Sequence, residues 1–341
     1  MTADGATVAP APTPLFVCGY QKSGTSLAAA LLDGHPLVCV FPEETSILRW
    51  MAGREFASRQ DALRFLLERT HVERLGHLVD EDGPEGNRDF RDLDHPRFRR
   101  ELEDRFLGGD GSMRSLLDAV MAAYADASDQ PGRAYWVEKT PRTEYHLDTV
   151  NRWYPSARAL YLVRDPRDVY VSYSRNRELG GATLGLGNFV ATWGLSVWNW
   201  KRQPAGGRRM LLRFEDLLQE PPAQLRRVCD WLGIEFSEQV TRPTKLGKPW
   251  HGNSMFDGRF GGISTRPIGR WRDALAPEDL EVIESLLGRE MEEFGYELSG
   301  RRPTAVRKVR SWLRCAPQRR PVADVLRKLS RLPAPARAGA P

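Results

Sequence analysis

The sequence predicts an α/β fold built around a central, mainly parallel β-sheet. Five short apolar runs have the length and composition of buried strands, and helical patterns lie between them along the chain. This alternation is typical of strand–helix–strand units, in which helices cover both faces of a parallel sheet. The runs begin at Leu15, Leu37, Tyr135, Arg158 and Arg209.

Helical patterns separate these strands. The first helix, at 25–32, is rich in Ala and Leu. Residues 54–129 carry apolar side chains at helical spacing, interrupted by a polar loop at 80–94, which predicts a helical insertion over the sheet. Three further helices, with apolar faces typical of core packing, are expected around Trp193, over 215–232 and over 277–294.

Composition indicates a globular chain with one main domain. The 341 residues are 41% hydrophobic and 28% charged, and no apolar run approaches the roughly 18 residues of a membrane span. The N-terminus lacks the basic start and apolar core of a secretory signal, so we expect a cytoplasmic protein. The expected organisation is a disordered lead-in at 1–14, a domain at 15–298 and a basic amphipathic tail at 299–341.

The positive net charge belongs to the tail. The formal net charge is +5, yet from Tyr296 onward 12 Lys and Arg residues face only two acidic residues. The rest of the chain is therefore net acidic, and we predict no nucleic-acid partner. Because the tail also has apolar stripes, it is expected either to dock on a membrane or protein surface or to form a solvated extension.

The four cysteines show no metal-binding spacing. Cys18 and Cys39 fall in predicted strands, where a free Cys behaves as a small apolar residue. No C-x-x-C pair is present. The sequence therefore predicts neither a disulfide framework nor a bound metal.

The turn after the first strand is a candidate anion site. In FVCGYQKSGTSL (16–27), a strand leads through a glycine-containing loop into a helix N-terminus, where unpaired backbone N–H groups converge. Gly19 and Gly24 fit the G-x-x-x-x-G-K-[ST] phosphate-loop pattern, but Thr25 stands where that pattern requires Lys. Lys22 is the loop cation instead. This predicts a P-loop-like three-layer fold with helical insertions, against the alternative of an ordinary strand–helix turn.

Charged residues follow the second and third strands. Glu43 and Glu44 come after the second strand, and Glu138 and Lys139 end the third, which places all four at the carboxyl edge where α/β sheets bind ligands. A carboxylate there could act as a general base, or it could simply complement a helix dipole. Thr140 and Pro141 have the residue types of a helix N-cap and first helical position.

The fourth strand ends in a second candidate phosphate site. Arg164 follows it directly, and Ser172 lies about two turns along the helix that Pro166 opens. An Arg and a Ser so placed could bind one further phosphate by charge-assisted hydrogen bonds. Considered alone, an Arg–Ser pair at this spacing is more typical of a surface helix.

Together these residues resemble the sulfotransferases that use 3′-phosphoadenosine 5′-phosphosulfate (PAPS), over about 15–298. QKSGTS (21–26) looks like the family's 5′-phosphosulfate loop, and the R-x7-S spacing within LVRDPRDVYVS matches its 3′-phosphate motif. Residues near 264–271 resemble the late loop that closes over the nucleotide. The resemblance implies nucleotide contacts from Gln21, Lys22, Ser23, Gly24, Thr25, Ser26, Arg164, Ser172, Ser264, Arg270 and Trp271.

The resemblance also implies catalytic residues. The SGT, LDGHP and EET stretches are most similar to protein-tyrosine sulfotransferases and their bacterial relatives, whose base falls here on Glu44, or on Glu43 after a one-residue shift. Lys139 matches a strand-end Lys that acts, together with the loop cation Lys22, on the transferring group. Carbohydrate sulfotransferases take the base from a Glu-Lys pair, which makes Glu138 the second candidate.

Two departures argue against peptidyl tyrosine as the acceptor. Lys22 stands where tyrosine sulfotransferases carry Arg, and Ser46 stands where they carry an Arg that holds an acidic peptide. The implied reaction is an in-line sulfuryl transfer from PAPS to a hydroxyl or similar group of a small-molecule, carbohydrate or lipid acceptor, without a metal. The alternatives are an ATP-dependent small-molecule kinase and a non-catalytic nucleotide-binding protein that docks through its tail.

Overall fold

A five-stranded, wholly parallel sheet forms the centre of the molecule, which confirms the predicted fold class. The computed structural model describes residues 11–76, 90–178, 185–252, 262–300, 304 and 309–311. The strand order is β2-β3-β1-β4-β5. The strands are β1 (Thr13–Gly19), β2 (Val38–Val40), β3 (Tyr135–Glu138), β4 (Arg158–Val163) and β5 (Arg209–Arg213), and a small hairpin follows with β6 (Thr244–Lys245) and β7 (Lys248–Pro249).

Strand β1 occupies the middle of the sheet because its side chains are apolar on both faces. Leu15 and Val17 pack into one layer, whereas Phe16 and Cys18 pack into the layers on the opposite face. All four side chains are fully buried. A strand that is buried on both faces has a continuous apolar sequence, and this is the pattern from which the strand was predicted.

Helices cover both faces of the sheet. One face holds α1 (Thr25–Leu32) and α9 (Pro221–Leu232), which is preceded by the short α8 (Phe214–Gln219). The other face holds two helical groups. Those groups comprise α2 (Arg59–Arg69), α3 (His95–Gly108), α4 (Met113–Ala127), α5 (Leu147–Trp153), α6 (Pro166–Glu178), α7 (Leu186–Lys201) and α11 (Pro277–Glu293), and the short α10 (Trp271–Ala274) packs on α6.

The predicted helical insertion corresponds to α2, α3 and α4. Each of these helices begins at a side-chain cap that accepts a backbone N–H, and α3 packs on α4. Most of the predicted polar loop falls at 77–89, outside the described residues. The caps are Ser58, Asp94 and Ser112.

Two predicted helices differ from the structure. The single helix expected over 215–232 is α8 and α9, because prolines at 221 and 222 interrupt it. The helix expected to start at Thr140 and Pro141 begins later, with a 3₁₀ turn at Thr143–His146 that leads into α5. The Thr140 hydroxyl donates to Glu138, and Arg142 adopts a φ of 72°, so the chain turns before it becomes helical.

The ends of the chain stay largely outside the described residues. Strand β1 begins at Thr13, and of the tail only 299, 300, 304 and 309–311 are described, so the proposed lead-in and tail remain predictions. Within the described part of the chain, no helix is both long enough and apolar enough to cross a membrane.

The turn after β1 requires glycine, which can be tested by mutation. Gly19 has a φ of 140°, and a Cβ there would lie 2.3 Å from the Leu162 carbonyl oxygen. We expect Gly19→Ala to lower the free energy of unfolding by about 2–4 kcal/mol in urea denaturation, from strain and steric overlap. Gly108→Ala, in open space at the end of α3, should stay within about 1 kcal/mol of wild type. Equal stability of the two variants would show that the turn tolerates a side chain.

Candidate active site

The loop between β1 and α1 forms an open anion cradle. Lys22 and Gly24 both adopt positive φ values, 67° and 92°, which turns the loop tightly towards the N-terminus of α1. That helix begins without a side-chain cap, so its first N–H groups stay available to a ligand. The Ser23 hydroxyl is fully buried and has no hydrogen-bond partner among the described residues. An anion with acceptor oxygens fits both features.

An open cleft extends from this loop across the carboxyl edge of the sheet, and its lining includes residues of both candidate phosphate sites, among them Lys22 and Arg164. The ring of Phe214 closes one wall, so tightly that a Cβ at Gly24 would lie 2.2 Å from it. The predicted nucleotide contacts that line the cleft are Lys22, Gly24, Thr25, Ser26, Arg164, Ser172, Ser264 and Arg270.

Arg164 ties the two sides of the cleft together. Its guanidinium donates from Nη1 to the Lys22 carbonyl oxygen at 3.0 Å and from Nη2 to the Pro267 carbonyl oxygen at 2.9 Å. It also stacks over the Phe214 ring, 4.8 Å from the centroid. Burial lowers the pKa of this group, and Nε has no hydrogen-bond partner in the described ranges. A buried cation with a spare donor is suited to a phosphate.

Two further predicted nucleotide contacts, Gln21 and Trp271, are held by hydrogen bonds and are not part of the cleft lining. Gln21 accepts a hydrogen bond from the Tyr173 hydroxyl at 2.5 Å. Trp271 is buried, and its backbone N–H donates to the Asp168 carboxylate at 2.9 Å. The Arg167 guanidinium lies 3.9 Å from the Trp271 ring centroid. These contacts fix Gln21 and Trp271 in place, and their contacts with the nucleotide stay predictions.

Glu44 and Lys139 form an ion pair at the carboxyl ends of β2 and β3. Lys139 Nζ lies 3.2 Å from Glu44 Oε1, and His71 Nδ1 lies 3.2 Å from Oε2. Burial by itself would raise the pKa of Glu44, but Lys139 and His71 outweigh it and lower the pKa to about 2. The side chains of Glu44 and Lys139 remain 19% and 10% exposed, so both groups keep some contact with solvent. Glu44 is therefore an ionised carboxylate beside a cation.

Glu138 has a different environment. It is 1% exposed, and its Oε1 accepts hydrogen bonds from the Thr45 hydroxyl at 2.9 Å and from the Thr140 hydroxyl. Burial raises its pKa. Lys139, its neighbour in sequence, pairs with Glu44 instead. Glu138 therefore joins the end of β3 to the turn after β2 through buried hydrogen bonds.

Glu43 is held by two cations. Its Oε1 lies 3.2 Å from Lys245 Nζ, and its Oε2 lies 3.6 Å from Arg74 Nη1. The side chain is buried and faces the β6–β7 hairpin. Of the three candidate carboxylates, Glu44 is the one with both a cationic partner from the sheet edge and partial exposure.

Comparison with known sequences identifies the family. The profile described as "Sulfotransferase family" matches residues 14–238, which is most of the chain. The chain belongs to the sulfotransferase family. The predicted resemblance and the predicted class of enzyme, a PAPS-dependent sulfotransferase, are thereby confirmed. The family assignment favours sulfuryl transfer over the alternative of an ATP-dependent kinase.

Curated relatives of this sulfotransferase are distant. The nodulation protein NoeE of Sinorhizobium fredii is 24% identical over 316 residues, covering 86% of this chain and 68% of NoeE. Protein-tyrosine sulfotransferase 2 of Gallus gallus is 25% identical over 281 residues, covering 80% and 63%. The chain thus spans about two thirds of the length of both relatives.

Solved structures support the same fold. A sulfotransferase domain from the curacin biosynthetic pathway aligns with a TM-score of 0.51 at 18% identity, over 84% of this chain and 99% of that domain. The corresponding domain of the Synechococcus PCC 7002 olefin synthase gives 0.50 at 21% identity, over 85% and 98%. At these identities the likeness shows the fold of the sulfotransferase and nothing about its acceptor.

Sequence reasoning missed several residues of the sulfotransferase site. His71 reaches Glu44 from the helical insertion, and Glu144 accepts a hydrogen bond from the Gly19 backbone N–H at 3.0 Å. Arg142 lies over the Tyr20 ring, 5.3 Å from its centroid. None of these belongs to a short motif, because each reaches the site through a contact with a distant segment. No cluster of His, Cys, Asp or Glu that could hold a metal occurs within the described ranges.

The low pKa of Glu44 can be tested by titration. Because the folded pKa lies below the ordinary value, ionised Glu44 stabilises the fold above about pH 4.5, and this contribution is lost as the pH falls towards 2. Carbon-13 NMR of the Glu44 carboxyl should show a midpoint well below that of an exposed Glu. Lys139→Met should raise the midpoint, because it removes the cation. A midpoint that does not move would mean that the ion pair is absent in solution.

Proposed function

We propose that this sulfotransferase moves the sulfuryl group of PAPS to a hydroxyl of a small-molecule, carbohydrate or lipid acceptor, with Glu44 as the general base. The observation that carries the proposal is the cleft itself. It joins the anion cradle to the buried guanidinium of Arg164, and the Glu44–Lys139 pair stands at the same edge of the sheet. Two anion sites and an ionised carboxylate are what the transfer requires.

The nucleotide would be held at two phosphates. The cradle formed by Lys22, Ser23 and the start of α1 would receive the 5′-phosphosulfate. Arg164 Nε and the Ser172 hydroxyl would receive the 3′-phosphate, which distinguishes PAPS from ATP. Burial and the charge of Arg164 lower the pKa of Lys22, and no acidic side chain among the described residues offsets that effect by pairing with it.

In the transfer step, the acceptor oxygen forms a bond to sulfur while the bond from sulfur to the bridging phosphate oxygen breaks. The acceptor proton passes to the Glu44 carboxylate, and 3′-phosphoadenosine 5′-phosphate (PAP) is the leaving group. Lys139 is placed to stabilise the developing charge on the sulfuryl oxygens. If Lys139 turns from Glu44 to the sulfuryl group, the pKa of Glu44 rises, so the base becomes stronger when the donor is bound.

The role of Arg164 predicts nucleotide selectivity. Arg164→Ala should weaken PAP binding roughly ten- to a hundredfold, because it removes a charge-assisted contact of about 1.5–3 kcal/mol. Binding of AMP, which has no 3′-phosphate, should be weak in both proteins. Arg209→Ala, which removes a guanidinium from β5 at the opposite edge of the sheet, is the matched control. Equal affinity of the wild type for PAP and AMP in calorimetry would refute the second phosphate site.

The assignment of the base predicts different effects for three carboxylates. Once a screen with labelled PAPS has found an acceptor, Glu44→Gln should lower turnover about 10²–10⁴-fold and keep PAP affinity. Glu43→Gln should be milder, because Glu43 pairs with Lys245 away from the reacting edge. Glu138→Gln should act mainly on stability. A Glu138→Gln protein that binds PAP but is inactive, beside an active Glu44→Gln, would transfer the role of base to Glu138.

A further inference from the structure

Both backbone groups of Gly19 are bound by one segment outside the sheet. The Gly19 N–H donates to Glu144 Oε2 at 3.0 Å, and the Gly19 carbonyl oxygen accepts from the Arg142 N–H at 3.1 Å. Gly19 is the last residue of β1, whereas the neighbouring β3 has already ended at Glu138. Beyond the end of β3, the residues around the 3₁₀ turn at Thr143–His146 therefore provide the hydrogen bonds to β1, at the point where the phosphate loop begins.

Glu144 is fully buried and fully hydrogen-bonded. Its Oε1 accepts from the Ser196 hydroxyl of α7 at 2.5 Å, and that hydroxyl lies 3.0 Å from the Tyr161 hydroxyl of β4. A buried carboxyl is costly unless its oxygens are satisfied, so its presence here calls for a function. Glu144 thus connects the end of β1 to α7 directly, and to β4 through the Ser196 hydroxyl.

The titratable groups that face Glu144 provide little compensation for a negative charge. They are Cys18 on β1, Tyr161 on β4, and Arg142 and Tyr145 on its own turn, and Arg142 is the only cation among those that shift its pKa. Burial raises the pKa of Glu144 to about 7, against the lowering effect of its hydrogen bonds from Ser196 and Gly19. The carboxyl is therefore kept for its acceptor oxygens more than for its charge.

We propose that Glu144 is a positioning residue for the phosphosulfate loop, which fixes Gly19 so that the cradle is formed before the nucleotide arrives. The proposal rests on the proposed function for the identity of the loop's ligand. Holding Gly19 by its N–H fixes the direction in which the chain leaves β1, and hence the place of Lys22 and Ser23. A preformed cradle lowers the entropy lost on binding, so the benefit is expected in nucleotide affinity.

If Glu144 positions the loop, the hydrogen-bond acceptor oxygen of its side chain is required for nucleotide affinity and its negative charge is not. In Glu144→Gln, the amide oxygen can still accept the Gly19 N–H, and the amide NH₂ can donate to Ser196, whose hydroxyl then turns to Tyr161. In Glu144→Ala, the Gly19 N–H is left buried and unpaired. Glu144→Gln should therefore keep the loop order and the nucleotide affinity that Glu144→Ala loses.

The first experiment follows the loop directly, without a ligand. Hydrogen–deuterium exchange of a peptide covering 19–25 should be faster in full-length Glu144→Ala than in wild type, and close to wild type in Glu144→Gln. Leu102→Ala, which removes a fully buried side chain from the α3 layer, controls for lost stability and should leave this peptide unchanged. Unchanged exchange in Glu144→Ala would overturn the proposal, whether or not the protein proves to bind PAP.

The second experiment separates the loop from the rest of the nucleotide site. Calorimetry or competition NMR should show roughly tenfold weaker PAP binding for Glu144→Ala, and little change for adenosine 3′-monophosphate, which has no 5′-phosphate for the loop. Equal loss for both nucleotides, or equal loss in the Leu102→Ala control, would indicate general destabilisation and overturn the positioning role. A wild type that binds neither nucleotide would contradict the proposed function, while the exchange result would still decide the role of Glu144.

Discussion

The tight turn from β1 into α1 is the constraint on which the rest of the site depends. Gly19 has no room for a side chain against Leu162, and Gly24 has none against Phe214, so the loop lies on the sheet with its backbone exposed to the cleft. Two distant segments then hold this backbone by hydrogen bonds. Arg164, which follows β4, donates to the Lys22 carbonyl oxygen, and Glu144 accepts from the Gly19 N–H. The shape of the cradle therefore depends on residues outside the loop.

Environment, more than position in a motif, distinguishes the three carboxylates. Glu44 is partly exposed and next to Lys139, which favours its ionised form. Glu138 is buried among hydroxyl groups, and burial raises its pKa. Glu43 is clamped by Lys245 and Arg74. The Glu-Glu-Thr motif alone does not reveal these differences, because the pKa of a side chain depends on which distant groups surround it.

The fold, and the grouping of the two candidate phosphate sites on one cleft, could be predicted from the sequence, because their signals are local. The loop at 21–26 and the pair Arg164 and Ser172 each follow a buried strand, and strand ends share one edge in a parallel sheet. Glu144 and His71 could not be predicted in this way. Glu144 meets Gly19 across 125 residues, and no periodicity encodes such a contact. The late start of the helix after β3 was missed for a different, local reason: Thr140 has the residue type of a helix N-cap, but its hydroxyl donates to Glu138, two residues earlier.

The most direct test of the account is a transfer assay on the full-length protein, with a panel of hydroxyl acceptors and either PAPS or Mg²⁺-ATP as the donor. Mass spectrometry then reads the group that the acceptor has gained. The account predicts that an acceptor gains one sulfuryl group from PAPS, with release of an equal amount of PAP, and gains nothing from ATP. Phosphate transfer from Mg²⁺-ATP, in a protein that ignores PAPS, would contradict it.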